Sequence, residues 1–210
     1  MELSKVNFYR WRYDAGFEQK LILALTLAVF TGLCAQLRIY LPWTPVPITM
    51  QTFAVFLSAI LLGRNWGGIS QALYVAIGAL GVPWFAGMKG GFAVLLGPTG
   101  GYLLGFIISA FFVGYLIDRY IASRFFVTLF PILLFANFGI IHGLGCLWLY
   151  SWLTATGQSV TIFEVLIMGS IPFVPGDLAK IFMASAVGRL ITPKIAYNGE
   201  VDAGKRYRLF

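Results

Sequence analysis

Apolar runs long enough to cross a bilayer recur along almost the whole 210-residue chain, divided only by proline–glycine clusters or basic residues. Crossing roughly 30 Å of hydrocarbon takes a helix of about 20 such residues. The runs read as six spans, at about 20–41, 47–63, 66–81, 101–118, 125–152 and 173–192. The second and third are short, so their loops dip into the protein or their helices cross only part of the bilayer. Backbone at that depth is tolerated only where it lines a protein cavity. Composition agrees, because 11% of residues are charged, against about 25% in soluble domains. The expected fold class is an all-α integral membrane protein, six transmembrane helices with outer loops capping a substrate pocket. Residues 1–19 then form a cytoplasmic N-terminal segment, 20–192 the membrane domain and 193–210 a cytoplasmic tail.

Orientation follows from the Lys and Arg positions. Twelve of them fall on one side: four in the N-terminal segment, Arg64, Arg119 and Arg124, and Arg189, Lys194, Lys205, Arg206 and Arg208 towards the C-terminus. Arg38 and Lys89 alone fall on the other. Basic residues concentrate on the cytoplasmic side, which puts both termini in the cytoplasm of a multi-pass cell-membrane protein. The net charge of +7 is thereby explained without nucleic acid. No cleavable signal pattern precedes Leu21, so the first span is expected to insert and stay. Cys34 and Cys146 fall in apolar runs and read as free buried thiols.

Two outer loops are built from residues that fix or free the backbone. Residues 42–47 hold three prolines, and residues 81–101 hold seven glycines and two prolines. Proline stiffens the first; glycine lets the second approach a ligand or other backbone closely. Such loops suit a cap over a pocket, or are simply tight turns.

Asp177 and Lys180 stand one helical turn apart inside an otherwise apolar span. Ionisable groups at membrane depth are costly and mark functional sites. If the last helix starts at Pro175, Asp177 also lies in its first turn, where a carboxylate favours the helix dipole and Lys180 neutralises it. Lys180 precedes Pro193 by 13 residues, about 20 Å of helix, which argues against a solvated pair. A carboxylate and an ammonium side by side can read a compact group that offers both a donor and an acceptor, such as a urea or amide. Pro172 and Pro175-Gly176 cut off residues 160–171 as an outer helix or re-entrant piece.

Gln51, at the outer mouth of the second span, can donate and accept, or it caps its helix. Gln71 and Tyr74 fit interhelical packing. Lys89 is the only cation of the glycine-rich loop, placed either to meet a ligand carboxylate or to stand solvated in the loop. The single His142 has no acid or cysteine near it in sequence and reads as an interhelical hydrogen bond, neither ligand nor base. Ala24, Ala28 and Gly32 form a small-residue stripe, either packing within the chain or docking another subunit. No phosphate-binding loop, metal-ligand cluster or catalytic constellation is present. Catalytic and metal residues are therefore none, no cofactor is called for, and active transport draws its energy from elsewhere.

Four segments carry a resemblance: Thr44 to Thr52 (TPVPITMQT), Gly81 to Gly87 (GVPWFAG), Gly97 to Phe106 (GPTGGYLLGF) and Pro172 to Lys180 (PFVPGDLAK). Through them the chain resembles the BioY family, the biotin-binding S components of energy-coupling factor (ECF) transporters. The resemblance implies six helices, cytoplasmic termini and a biotin pocket beneath the first and third outer loops. It implies that Asp177 accepts from a ureido N–H while Lys180 meets the ureido carbonyl or holds Asp177 ionised. Gln51, Lys89, Tyr102, Thr44, Phe92 and Tyr74 complete the implied binding set. Met88-Lys89 departs from the small residues frequent there and leaves the partner of the valerate carboxylate open. The Ala24/Ala28 stripe, with Gly32, looks like the face that docks on a membrane coupling (T) subunit, which two ABC-type ATPases join to topple the loaded S component. The implied function is high-affinity biotin capture for such a transporter; the alternative is a solitary biotin transporter. A membrane enzyme or an S component for another vitamin is a weaker rival.

Overall fold

The computed structural model describes residues 2–204 and is mostly helical; Lys205, Arg206 and Arg208 of the charge count lie outside the described residues. Helix α1 (Glu2–Asp14) leads into α2 (Phe17–Gln36), where Gln19 reaches back to accept from the Gly16 N–H at 3.3 Å. The proline-rich segment cannot continue a helix. It is held between two short antiparallel strands, β1 (Arg38–Ile39) and β2 (Ile48–Thr49), with Arg38 opposite Thr49. There follow α3 (Gln51–Ala79), the short α4 (Phe92–Leu95) and α5 (Gly100–Arg119). A continuous stretch then runs from α6 (Phe126–Leu134) through a π-helix (Phe135–His142) into α7 (Gly143–Ala155). The chain ends in α8 (Ile162–Gly169), a 3-10 turn (Ile171–Phe173) and α9 (Val174–Ile191).

Among the described residues, five stretches are long and apolar enough to cross a membrane: Phe17–Gln36, Gln51–Ala79, Gly100–Arg119, Phe126–Ala155 and Ile162–Ile191. The second and third sequence runs lie together in α3, but α3 is not straight. Gly63 breaks it with φ 73° and ψ −167°, a left-handed conformation that side chains disfavour. Beyond the break the helix doubles back. Gln51 Nε2 donates to the Tyr74 hydroxyl at 2.9 Å, and Gln71 Nε2 to Ser58 Oγ at 3.0 Å. Gln51 and Tyr74 are 23 positions apart in sequence, a separation of about 34 Å on a straight helix. Asp118, at the end of α5, seals the turn by accepting from the Arg64 N–H at 2.9 Å. The two halves are antiparallel, and the first, Gln51 to Leu62, reaches only about 18 Å.

Helix α5 runs through the middle of the bundle. Gly105 lets it close on the π-helix: a Cβ there would stand 2.8 Å from the Ile141 Cα. The small-residue stripe faces inward too. Ala24 and Ala28 are fully buried, Ser70 Oγ donates to the Ala24 carbonyl at 2.8 Å, and a Cβ on Gly32 would meet the Trp84 side chain at 3.0 Å. Packing within the chain, one of the two readings of the stripe, thus accounts for Ala24, Ala28 and Gly32.

At the end of the bundle near the Gly63 turn, the N-terminal segment and residues 193–204 are folded rather than trailing. Tyr9 donates to the Ile60 carbonyl at 3.0 Å, and Arg12 donates to Asp118 at 2.8 Å. The buried Arg124 pairs with Glu200 at 2.7 Å and stacks on Tyr197. Burial alone would raise the Glu200 carboxyl, but the Asn198 N–H and Arg124 outweigh it and hold it below the usual carboxylate range. Lys194 donates to the Arg124 carbonyl and to Thr192 Oγ1. Burial, with repulsion from Lys5, lowers its pKa to about 7.

Candidate functional site

The opposite end of the bundle holds a cavity of about 340 Å³, within the size range of small-molecule sites. Its walls come from the proline-rich segment (Pro45, Val46, Pro47), the glycine-rich loop (Phe85, Lys89, Val94) and the start of α5 (Tyr102, Leu103, Phe106). Gln51 and Thr52 open α3 into it, and Ile141, His142, Phe173 and Asp177 complete the lining.

Local chemistry explains how these loops are held. The glycine-rich loop takes left-handed backbone at Gly81, Gly87 and Gly91, and also at Met88 with φ 57°. Gln36 pins it: its amide donates to the Trp84 and Phe85 carbonyls at 3.1 Å each and accepts from the Met88 N–H at 3.1 Å. Trp84 Nε1 donates to the Tyr74 carbonyl at 3.0 Å. The proline-rich segment is tied down by Thr44, whose hydroxyl donates to the Met168 carbonyl at 2.6 Å.

Asp177 is the electrostatic centre. It is 1% exposed and lies in the first turn of α9, as a helix start at the proline–glycine break predicts. Its Oδ1 meets Lys180 Nζ at 2.5 Å; its Oδ2 accepts from Asn137 Nδ2 at 2.8 Å and lies 2.7 Å from His142 Nε2. Lys180 also donates to the Thr49 carbonyl at 2.8 Å, which ties α9 to the proline-rich loop. Among the described residues, Lys89 is the only lysine or arginine in the lining. Two polar atoms near this centre have no partner among the described residues, Thr52 Oγ1 and Asn137 Oδ1. The cavity can therefore bury an apolar body and read a small polar group at its floor.

The sequence candidates divide. Asp177, Gln51, Lys89 and Tyr102 line the cavity, and Lys180 stands directly behind Asp177. Tyr74 does not line it: the ring is fully buried and backs the wall residues Gln51 and Phe85, which is a packing role. Thr44 is spent on the loop tether. Phe92 is 63% exposed on α4 and turns away from the lining. These three stand outside the lining, and for Tyr74 this agrees with the packing reading. His142 does make interhelical hydrogen bonds, but it lines the cavity and touches Asp177, which sequence proximity could not show. Asn137, Thr52 and Gln36 were missed. Cys34 and Cys146 are free, and no cluster of metal-ligating groups occurs among the described residues.

The BioY family profile matches residues 9–197. A probable biotin transporter BioY of Methanothermobacter thermautotrophicus is 50% identical over 150 residues, covering 71% of this chain and 96% of that protein. The biotin transporter BioY of Thermotoga maritima is 40% identical over 155 residues, covering 71% of this chain and 82% of its own. A crystal structure of the S-component for biotin from an ECF-type ABC transporter superposes with TM-score 0.73 at 25% identity, over 82% of this chain and 90% of that one.

Proposed function

The chain belongs to the BioY family, and on that footing we propose that it captures biotin as the S component of an ECF-type transporter, in the cavity floored by Asp177. The observation that carries this reading is the buried carboxylate–ammonium pair, 2.5 Å apart, at the base of an otherwise mainly apolar cavity. Biotin's ureido ring offers two N–H donors and one carbonyl, its thioether ring is apolar, and its valerate ends in a carboxylate. Asp177 accepts a ureido N–H, and Gln51 can serve the carbonyl. Phe106, Phe173 and Leu103 sheath the rings, and Lys89 meets the valerate carboxylate. Lys180 acts behind Asp177, holding it ionised.

Counting each half of α3 as a crossing gives six spans. The Lys and Arg asymmetry turns the cavity outward and the Arg124 end, with both termini, to the cytoplasm. The proline-rich and glycine-rich loops close over the ligand and exclude water, which strengthens the charged hydrogen bonds inside. A membrane coupling subunit and two ABC-type ATPases supply the energy.

Calorimetric titration of the detergent-purified protein tests the site. Tight binding of biotin, with none of riboflavin or thiamine, is expected; absence of biotin binding would overturn the reading. Uptake into proteoliposomes with and without coupling subunits and ATP tests the partners, and full biotin accumulation by the chain alone would contradict them.

A further inference from the structure

Asn137 and His142 are five residues apart, a spacing that sets side chains about 140° apart on an α-helix. Here the intervening stretch is π-helical, and i→i+5 winding brings the two onto one face. Both meet the same atom, Asp177 Oδ2, at 2.8 Å from Asn137 Nδ2 and 2.7 Å from His142 Nε2. The other ring nitrogen, Nδ1, lies 3.2 Å from the Gly169 carbonyl, which also accepts from the Tyr102 hydroxyl. A carbonyl and an ionised carboxylate can only accept hydrogens. A neutral imidazole has one N–H and would leave one of these contacts as lone pair against lone pair. Both are satisfied together only when the ring is doubly protonated. Around it stand the uncharged rings of Tyr102, Phe138 and Phe173. The charged groups facing it are Asp177 and, across that carboxylate, Lys180.

We propose that His142 is a positioning residue that sets both the orientation of Asp177 and the charge preference of the site. As an imidazolium it locks the carboxylate against the π-helix and, with Lys180, leaves the three-group cluster with one surplus positive charge. Such a floor accepts a neutral urea and opposes a cationic ring of the same shape. This rests on the biotin reading of the cavity. The discriminating probe is 2-iminobiotin, whose cyclic guanidinium keeps the N–H donors of the ureido ring and adds a positive charge.

Two measurements test the proposal. The chain has a single histidine, so nitrogen-15 labelling of histidine gives one imidazole to observe by NMR in detergent. Two protonated ring nitrogens at neutral pH are expected, and a spectrum showing one bare nitrogen would overturn the proposal. Affinities for biotin and for cationic 2-iminobiotin are then compared in the wild type and in His142→Phe. Biotin should weaken by about tenfold or more, the range for losing a hydrogen bond to a charged group, while 2-iminobiotin holds or tightens. A purely structural role would weaken both alike, and an unchanged ratio in a folded variant would overturn the proposal. Where His142→Phe fails to fold, His142→Gln keeps a donor without the charge and should shift the ratio in the same direction. A wild type that binds no biotin would overturn the biotin site, while the nitrogen spectrum would still decide the charge of His142.

Discussion

Replacing Asp177 by Asn swaps one oxygen for an amino group where three donors converge. In the native site Oδ1 faces Lys180 Nζ at 2.5 Å, while Oδ2 faces His142 Nε2 at 2.7 Å and Asn137 Nδ2 at 2.8 Å. An amide has one acceptor oxygen, so whichever way it turns its amino group confronts at least one of those donors. Lys180 keeps the Thr49 carbonyl and His142 keeps the Gly169 carbonyl. Breaking a buried pair costs about 3–5 kcal/mol; the retained carbonyl contacts place this case near the lower end. For a chain of this size that corresponds to a fall in Tm of roughly 6–12 °C. A bound ureido N–H also loses its charged acceptor, worth about 1.5–3 kcal/mol, or roughly ten- to 150-fold in Kd. Calorimetric titration with biotin reads the affinity, and thermal unfolding in the same detergent reads the stability. Lowered stability with an affinity within threefold of wild type would refute the ligand role; no change in either would refute the buried cluster.

Lys194 has its pKa lowered to about 7 in the fold, so between that value and the ordinary lysine range the unfolded chain binds the extra proton and stability rises with pH. The stability of wild type relative to Lys194→Met should therefore increase as pH is raised from 7 to 10; a flat difference would contradict the burial of that ammonium. Ala24→Trp and Ala28→Trp should spoil folding itself, seen as loss of monodisperse protein, since both positions are fully buried. Well-folded variants that merely fail to assemble with a coupling subunit would restore the docking role. Gly63→Ala should destabilise by about 2 kcal/mol or more from its left-handed backbone, because its Cβ would also stand 2.2 Å from Asp118 Oδ2; unchanged thermal stability would show that the turn is not strained.

The bundle was legible because a lipid solvent leaves few choices: apolar runs become helices and Pro-Gly breaks end them. The Asp177–Lys180 pair was legible because residues three apart share a face of an α-helix. Asn137 and His142 were not, since five-residue spacing gains meaning only in a π-helix, and nothing in the sequence period announces one. The pairing of Arg124 with Glu200, 76 positions apart, depends on how the C-terminal segment folds back. The Ala24 stripe shows why face and partner are separate questions: spacing identified the small-residue face, and only packing revealed that Ser70 and Trp84 cover it. Thr44 and Phe92 sit in or beside recognisable motifs, yet loop geometry sends one to a tether and the other outward, while helix α3 carries Tyr74 into the core.

The most direct test is a crystal structure of the protein grown with biotin. The bicyclic ring is expected in the cavity between the proline-rich and glycine-rich loops, with a ureido N–H within hydrogen-bonding distance of the Asp177 carboxylate. Biotin seated elsewhere, with Asp177 still closed upon Lys180, His142 and Asn137 alone, would contradict this placement.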